Sequence, residues 1–574
     1  MKSYINKRTF FVPFVMMLAL ALASCNDADF LEEKPMDFLA PGNAYSTLAG
    51  VKQGITGLHW TLREDWYFGE EQQDVMSIYK ALGADIAFHG EDPNSTRFLC
   101  NYVNYLIPTS EYVREYWRRP YRVVQRANTL LVALEALDEA QWSTPAQKQE
   151  YIAEARFMRA WAYRLLVSFF GDVPVVTDVI DEAKTDFVRN PASVAYALME
   201  EDLSFAVQNL PDPGREEEPG RVTKGAALHL LTEVYLMQKK YNEAVQTSTR
   251  VINDFGYGLM TERFGSTVEV FGSGDVYLDL FAFGNQNLGE NREAIWVIQF
   301  EPPSVIGGSN ARGVRAFAPA YFRMGNTPDG FPAFRGEFVN GAYTGYSDTL
   351  GRGVSWIRPT NLMVYEVWRD NWDNDIRNAP HNIKRDFYYD NPASAYDKQK
   401  IDFSLYPASA GRDAIRDTCQ YIYPYFMKHA DPMHILSDAA TSGGGTLYTD
   451  QYAMRLAETY LLRAEAYIQL GDRARAAEDI NMVRTRAKAK PVAPEQVDID
   501  YLLDERAREL YGETCRFYVL RRTGKLVERV RKYNNNPLNP GLNIQDHHVL
   551  WPIPQMQIDL NINADFPQNP GYNQ

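Results

Sequence analysis

Two stretches far apart in the chain share one grammar. GAALHLLTEVYLMQKKYNEAVQTSTRVI spans residues 225–252, and YLLRAEAYIQLGDRARAAEDINMVRTRA spans 460–487. Each reads as two helices joined by a short polar turn, at Lys239-Lys240 in the first and Leu470-Gly471-Asp472 in the second. A tyrosine precedes an alanine by nine residues in both, Tyr235 with Ala244 and Tyr467 with Ala476. Small residues (Ala464, Ala476, Ala477) let the paired helices approach closely. One such pair cannot bury its apolar face alone, so the pattern demands stacked helical neighbours.

The sequence supplies them. EYVREYWRRPYRVVQRANTLLVALEAL (111–137) has helical spacing that Pro120 is expected to interrupt. QKQEYIAEARFMRAWAYRLLVSFFGDVPVV (147–176) reads as a long amphipathic helix with Ala155, Met158, Ala162 and Leu165 on one face, closed by Gly171. PASVAYALMEEDLSFAVQNLP (191–211) is a further helix bounded by prolines. The paired stretches are similar to the tetratricopeptide helix–turn–helix, and 154–172 resembles the first helix of such a unit. Residues 256–450 differ: they are rich in Gly, Pro, Asn and aromatics, with EAIWVIQF (293–300) as a short strand and PTNLMVYEVWRD (359–370) as the best helical stretch. The expected fold class is therefore mainly α, a tetratricopeptide-like helical scaffold carrying a large loop-rich insertion. Loops held by a rigid frame are where function concentrates.

The N-terminus is an export signal. Lys2, Lys7 and Arg8 form a basic start, and an apolar run from Phe10 to Leu22 follows. That run is shorter than the about 20 residues a membrane-spanning helix needs. Leu22-Ala23-Ser24-Cys25 resembles a bacterial lipobox, in which the cysteine takes a diacylglycerol and becomes the new N-terminus. Asn26, Asp27, Ala28 and Asp29 then make a polar tether. The expected organisation is a signal over 1–24, the lipidated Cys25 and tether over 25–40, an N-terminal helical part over 41–255, a ligand-binding insertion over 256–450 and a C-terminal helical part over 451–574.

Charge excludes one broad class of partner. The net charge of −15 becomes −18 once a signal carrying three cations and no acid is removed. Nucleic-acid binding relies on Lys and Arg neutralising phosphates, so it is not expected. Beyond Cys25 only Cys100, Cys419 and Cys515 remain, an odd and widely spaced set that forms neither a disulfide framework nor a zinc pattern.

Several stretches, in order, carry a wider resemblance. After the lipobox come EARFMRAWAYRLLVSFFGDVPVVT (154–177), the repeat at 460–487, LLDERARELYGETCRFYVLRRTGKL (502–526) and the tail HHVLWPIPQMQIDLNINADFPQNPGY (547–572). Together they resemble the SusD/RagB family of Bacteroidetes outer-membrane lipoproteins. The middle matches weakly apart from the Arg358-Pro359-Thr360 turn and Asp375-Ile376-Arg377. The resemblance implies a non-enzymatic, lipid-anchored protein on the cell exterior. Such a protein captures a nutrient, usually a glycan and sometimes a peptide, and passes it to a partner TonB-dependent (SusC-like) transporter. It also implies that binding loops come from the insertion and from the segment ahead of the first long helices.

Candidate ligand contacts are aromatic and basic. Sugar C–H faces pack on aromatic rings, while Asn, Asp and Arg hydrogen-bond the hydroxyls. One cluster lies in 85–108: His89, Arg97, Phe98, Tyr102 and Tyr105. A second lies in 315–346 and just beyond: Tyr321, Phe322, Arg323, Tyr343, Tyr346 and Trp356, with Phe331, Phe334 and Phe338 close by. Between 306 and 360 there are six arginines (Arg312, Arg315, Arg323, Arg335, Arg352, Arg358) against three acids (Asp329, Glu337, Asp348), which allows an anionic ligand. No zinc, nucleotide or nucleophile-elbow motif is present, so no catalytic residue and no metal are expected. RDNWDNDIRN (369–378) is acidic enough to suggest calcium but lacks the glycine and distal glutamate of an EF-hand loop; no cofactor is expected. His547-His548, on an expected strand, would point to opposite faces. Two other classes remain open: a structural lipoprotein whose repeats hold a partner, and a surface glycosidase, which would need two convergent carboxylates.

Overall fold

The computed structural model describes residues 44–68, 73–94, 99–265, 268, 273–301, 305, 311–336, 338–339, 341–346, 350–430 and 448–572. The signal, Cys25 and the tether lie outside them, as do Arg97 and Phe98. Among the described residues no helix is long and apolar enough to cross a membrane.

The protein is mainly α-helical. The long helices are α1 (Leu48–Arg63), α2 (Glu111–Ala136), α3 (Pro145–Phe170), α4 (Ala192–Asn209), α5 (Lys224–Met237), α6 (Tyr241–Asp254), α7 (Leu456–Gln469), α8 (Arg473–Arg486) and α9 (Ile499–Leu510). They pack in succession, α2 on α3, α3 on α4, α4 on α5, α5 on α6, α6 on α7 and α7 on α8. The two sequence repeats are thus adjacent units of one stack, although the insertion separates them in the chain.

Local chemistry sets the helix ends. The Thr144 side chain accepts the Gln147 N–H at the start of α3, Pro145 opens its first turn, and Gly171 (φ 73°) closes it. Two expectations about this region change. The second half of α3 has no polar face: every residue from Phe157 to Phe170 is buried, and Phe517, Arg521 and Trp551 of the C-terminal segments pack on its end. Pro120 does not interrupt α2, which continues to Ala136. Buried Tyr116, Trp117 and Arg119 before the proline and Val123 and Val124 after it anchor both sides, so tertiary packing overrides the lost hydrogen bond.

The tail completes the core. Trp551 packs its ring on Tyr116 and Phe169 at 4.7 and 4.8 Å, and its backbone N–H donates to the Phe169 carbonyl at the end of α3. The Asn569 amide donates to the carbonyls of Phe170 and Trp551. His547 and His548 sit in a 3₁₀ turn (Asp546–Val549) and not on a strand, with His548 buried against Tyr102.

Between α6 and α7 the elements are short. The strands pair only in twos: β1 (Ala87–Phe88) with β5 (Arg358–Pro359), β2 (Ala294–Ile298) with β8 (Gln451–Arg455), β3 (Phe338–Val339) with β4 (Ala342–Tyr343) and β6 (Ile383–Lys384) with β7 (Tyr425–Phe426), all antiparallel. Arg358-Pro359 is therefore a strand where a turn was expected. A buried ion network fastens this region to the scaffold. Arg377 meets Asp375, Glu505 and Glu509, and Arg455 and Arg486 also reach Glu509 and Glu293. Asp375 is engaged by this network and also caps the Ile376–Asn378 turn through the Arg377 N–H.

Candidate ligand-binding face

The loops around β1 and β5 build one face, and Ser355 ties it together. Its backbone has φ 64°, a left-handed conformation uncommon for a non-glycine residue. Its carbonyl accepts both the Gly90 and Glu91 N–H groups at 2.9 Å. Its hydroxyl donates to the Gln420 carbonyl at 2.5 Å and accepts the Ala320 N–H at 2.8 Å. Three segments (89–91, 320–323 and 417–421) are fixed to the 352–358 segment leading into β5 through this single residue. Gly90 is needed there, since a Cβ would sit 2.4 Å from the Cys419 carbonyl oxygen and 2.9 Å from that of Ser355. Strained backbone of this kind persists where the surroundings over-determine it, and binding sites are where it concentrates.

On this frame, burial sorts the candidates. His89, Tyr102, Tyr105 and Tyr321 are buried, which corrects the expectation that they face a ligand. His89 Nδ1 accepts the Asp92 N–H, and the Tyr102 hydroxyl donates to the Gly83 carbonyl. Tyr105 stacks on Tyr112 at 5.3 Å, and Tyr321 packs edge-on to Phe334 while donating to the Gly351 carbonyl. These residues are aromatic because the core is aromatic-rich. Tyr346 is also buried, at 6% exposure, and serves as the wall against which Phe322 packs at 5.6 Å.

The remaining candidates reach the surface. Phe322 and Trp356 are half-buried; Arg323 and Tyr343 are exposed. Trp356 is half-buried between buried Ser355 and buried Ile357, in the bend that follows the left-handed Ser355 and precedes β5. Tyr343 stands on the β3–β4 hairpin opposite Phe338, ring to ring at 4.9 Å, and both are exposed. Arginines accompany these rings: Arg323 and Arg352 over Phe322 at 5.7 and 5.9 Å, Arg335 over Tyr343 at 4.0 Å, and Arg315 over Trp356 at 5.9 Å. Arg323 also pairs with Glu91 at 3.0 Å, joining the β1 loop to the insertion. Such ring-and-guanidinium surfaces hold a ligand by stacking and by directed N–H donors.

Phe338 and Arg335, both named from the sequence, join the ridge through the hairpin pairing and the Tyr343 ring. Sequence reading missed one feature. A second exposed pair, Tyr365 and Trp372, lies nearly parallel (12°) with centroids 6.4 Å apart, and Arg385 sits over Trp372 at 4.6 Å. The carboxylates bonded within the face, Glu91 and Asp417, are each engaged by an arginine. The carboxyl at Asp450 is pushed up to about 7 by burial and by Glu301, but its oxygens accept bonds from the Phe300 N–H and Asn287. It lines a separate cavity that none of the face residues touches.

A stacked helical-repeat scaffold that presents a loop face of rings and guanidinium groups defines a binding protein by its architecture. Two family models match the chain, "SusD family" over residues 293–572 and "Starch-binding associating with outer membrane" over 29–236, and the chain belongs to the SusD family. It is similar to SusD-like protein P25 of Formosa agariphila, at 26% identity over 95% of this chain and 96% of that one. It is also similar to the starch-binding protein SusD of Bacteroides thetaiotaomicron, at 25% identity over 76% and 75%. Among solved structures, surface glycan-binding protein A from Bacteroides thetaiotaomicron, in complex with laminarihexaose, superposes with a TM-score of 0.63, at 20% identity over 91% of this chain and 99% of that one.

Proposed function

We propose that this protein captures a glycan at the outer face of the outer membrane and hands it to a TonB-dependent transporter, without bond chemistry. The observation that carries this is the set of surface rings Phe322, Tyr343, Phe338 and Trp356 with flanking arginines, on a face whose 89–91, 320–323 and 417–421 segments Ser355 ties together. The relatives support the same reading, since one is named for binding starch and another is solved with laminarihexaose. Anchoring would come from lipid on Cys25, where multiple acyl chains give stable attachment.

Calorimetric titration of a chain beginning at Asn26 tests the proposal, because the described fold starts at Ala44 and is retained. The panel holds neutral and acidic oligosaccharides and a peptide mixture, with each sugar assayed afterwards for cleavage. Binding to a sugar without turnover is the expected result. Binding to peptides alone moves the cargo to that class, and turnover overturns the non-catalytic reading. Cys25→Ser should release the full chain from the membrane fraction.

A further inference from the structure

We infer that the ligand of this face is an anionic glycan, bearing carboxylate or sulfate groups that a row of arginines engages. The inference rests on the glycan reading above and adds the charge of the cargo.

The row starts at the hairpin and crosses the face. Arg335 lies over Tyr343, and its neighbours Gly336 and Gly345 pack against the backbone next to Tyr346 and against Phe322. Arg352 and Arg323 share the Phe322 ring. Arg323 is also the first wall residue of a groove of about 440 Å³, which Arg412, Arg416, Tyr406 and Tyr421 line further along. Among the described residues no carboxylate lines that groove.

Pairing shows which of these charges are spent. Arg412 is clamped by Asp417 at 2.7 Å and held between the Phe403 and Tyr406 rings at 4.8 and 4.4 Å, so it is structural. Arg323 shares Glu91. Arg335, Arg352 and Arg416 have no carboxylate partner among the described residues. The nearby Asp413 is occupied as a cap, accepting the Ile415 and Arg416 backbone N–H groups. Arg352 sits beside Arg323, and burial together with that like charge disfavours its charged form. An anion placed between the two guanidinium groups offsets the repulsion and accepts from the N–H groups that Glu91 does not already take.

This arrangement stands against the rest of the molecule. A chain of net charge −15 repels polyanions over most of its surface. Arginines over the Tyr343 and Phe322 rings and in the groove, of which Arg335, Arg352 and Arg416 have no carboxylate partner among the described residues, direct such a ligand to this face. Rings and N–H donors hold a neutral sugar as well; guanidinium groups without a carboxylate partner among the described residues add a charge term that only an acidic ligand gains.

The test is titration of the chain from Asn26 onward with four probes: an oligogalacturonate, a sulfated galactan oligosaccharide, laminarihexaose as neutral comparator, and inorganic sulfate. One acidic oligosaccharide should bind at least about tenfold tighter than the neutral one, as one or two charge-assisted hydrogen bonds provide. That affinity should fall steeply as salt rises toward about 0.3 M, because exposed charge pairs are screened. Arg352→Gln and Arg416→Gln should each cost about tenfold toward the acidic sugar and markedly less toward laminarihexaose, since only the acidic sugar loses a charge-assisted bond. Both side chains reach solvent, so the thermal midpoint should not move, which separates loss of a contact from loss of fold. The oligogalacturonate and galactan arms tell carboxylate from sulfate, and weak binding of sulfate alone shows that the sugar rings contribute as well. Equal, salt-insensitive binding of neutral and acidic sugars, or variants that bind the acidic sugar unchanged, overturns this inference and leaves glycan capture standing. Failure of every sugar to bind overturns the glycan reading and this inference with it.

Discussion

Lys239 and Gly471 occupy the same turn in the two repeats, and the comparison isolates one backbone dihedral. Both are left-handed, at φ 60° and 79°. The following residue donates back in the same way, Lys240 N–H to the Tyr235 carbonyl and Asp472 N–H to the Tyr467 carbonyl. Left-handed backbone is costly for a residue with a Cβ, so Lys239→Gly should stabilise the protein by about 0.5–1 kcal/mol and Gly471→Ala should destabilise it by about 1 kcal/mol. A Cβ at Gly471 meets nothing within 4 Å, so the second change reports the dihedral alone. Urea denaturation midpoints check both. Ser355 is the opposite case, because its strain is kept for its bonds. Ser355→Ala removes the hydroxyl links to Ala320 and Gln420, and should cost about 1–3 kcal/mol and weaken glycan binding at the same time.

At the scale of the element, the β3–β4 hairpin separates binding from stability. Phe338 and Tyr343 are 62% and 47% exposed and pack mainly on each other, so their loss uncovers little core. The Phe338→Ala, Tyr343→Ala double variant should shift stability by no more than about 0.5 kcal/mol. It should weaken glycan binding by about 1–2 kcal/mol if the ridge touches the ligand as proposed. Paired calorimetry and thermal melts give both numbers, and unchanged affinity would remove the hairpin from the face. α2 teaches the complementary lesson. A proline inside a helix breaks it only where nothing else holds the two halves, and here buried side chains on both sides of Pro120 do.

For the whole molecule, stability depends on buried carboxylates that must stay ionised. Burial raises the Glu509 carboxyl, but Arg486, Arg455 and Arg377 overcome that and hold it well below the usual range. Glu505 is likewise held low, against burial, by Arg508, Arg377 and Arg484. In the unfolded chain these groups titrate near 4.3. Their contribution is therefore complete above about pH 5 and is lost as pH falls below it toward their folded values. Denaturant midpoints measured from pH 7 to pH 3 should fall steeply below about pH 5. Arg377→Met should flatten that fall while destabilising the protein at pH 7 by about 3–5 kcal/mol, since it strands buried acids shared by the insertion and α9.

The helical stack was legible in the sequence because its signals are local. Apolar spacing, the Tyr–Ala repeat, Gly171 and the flanking prolines act within a few turns of chain, and the motifs from α3 to the tail identify the family. The face was legible only in outline. Arg323, Phe322, Tyr343 and Trp356 reach the surface, whereas His89, Tyr102, Tyr105, Tyr321 and Tyr346 are inside. Composition cannot separate these sets, since a ring that packs in the core and a ring that meets a sugar are the same residue. Which of them faces water was decided by contacts between residues hundreds of positions apart, such as Glu91 with Arg323 and Gly90 with Ser355, and by the ion network that seats the insertion on the scaffold. Those contacts exist only after the chain has folded, so exposure at the face belongs to the tertiary structure, and the frame that carries it belongs to the sequence.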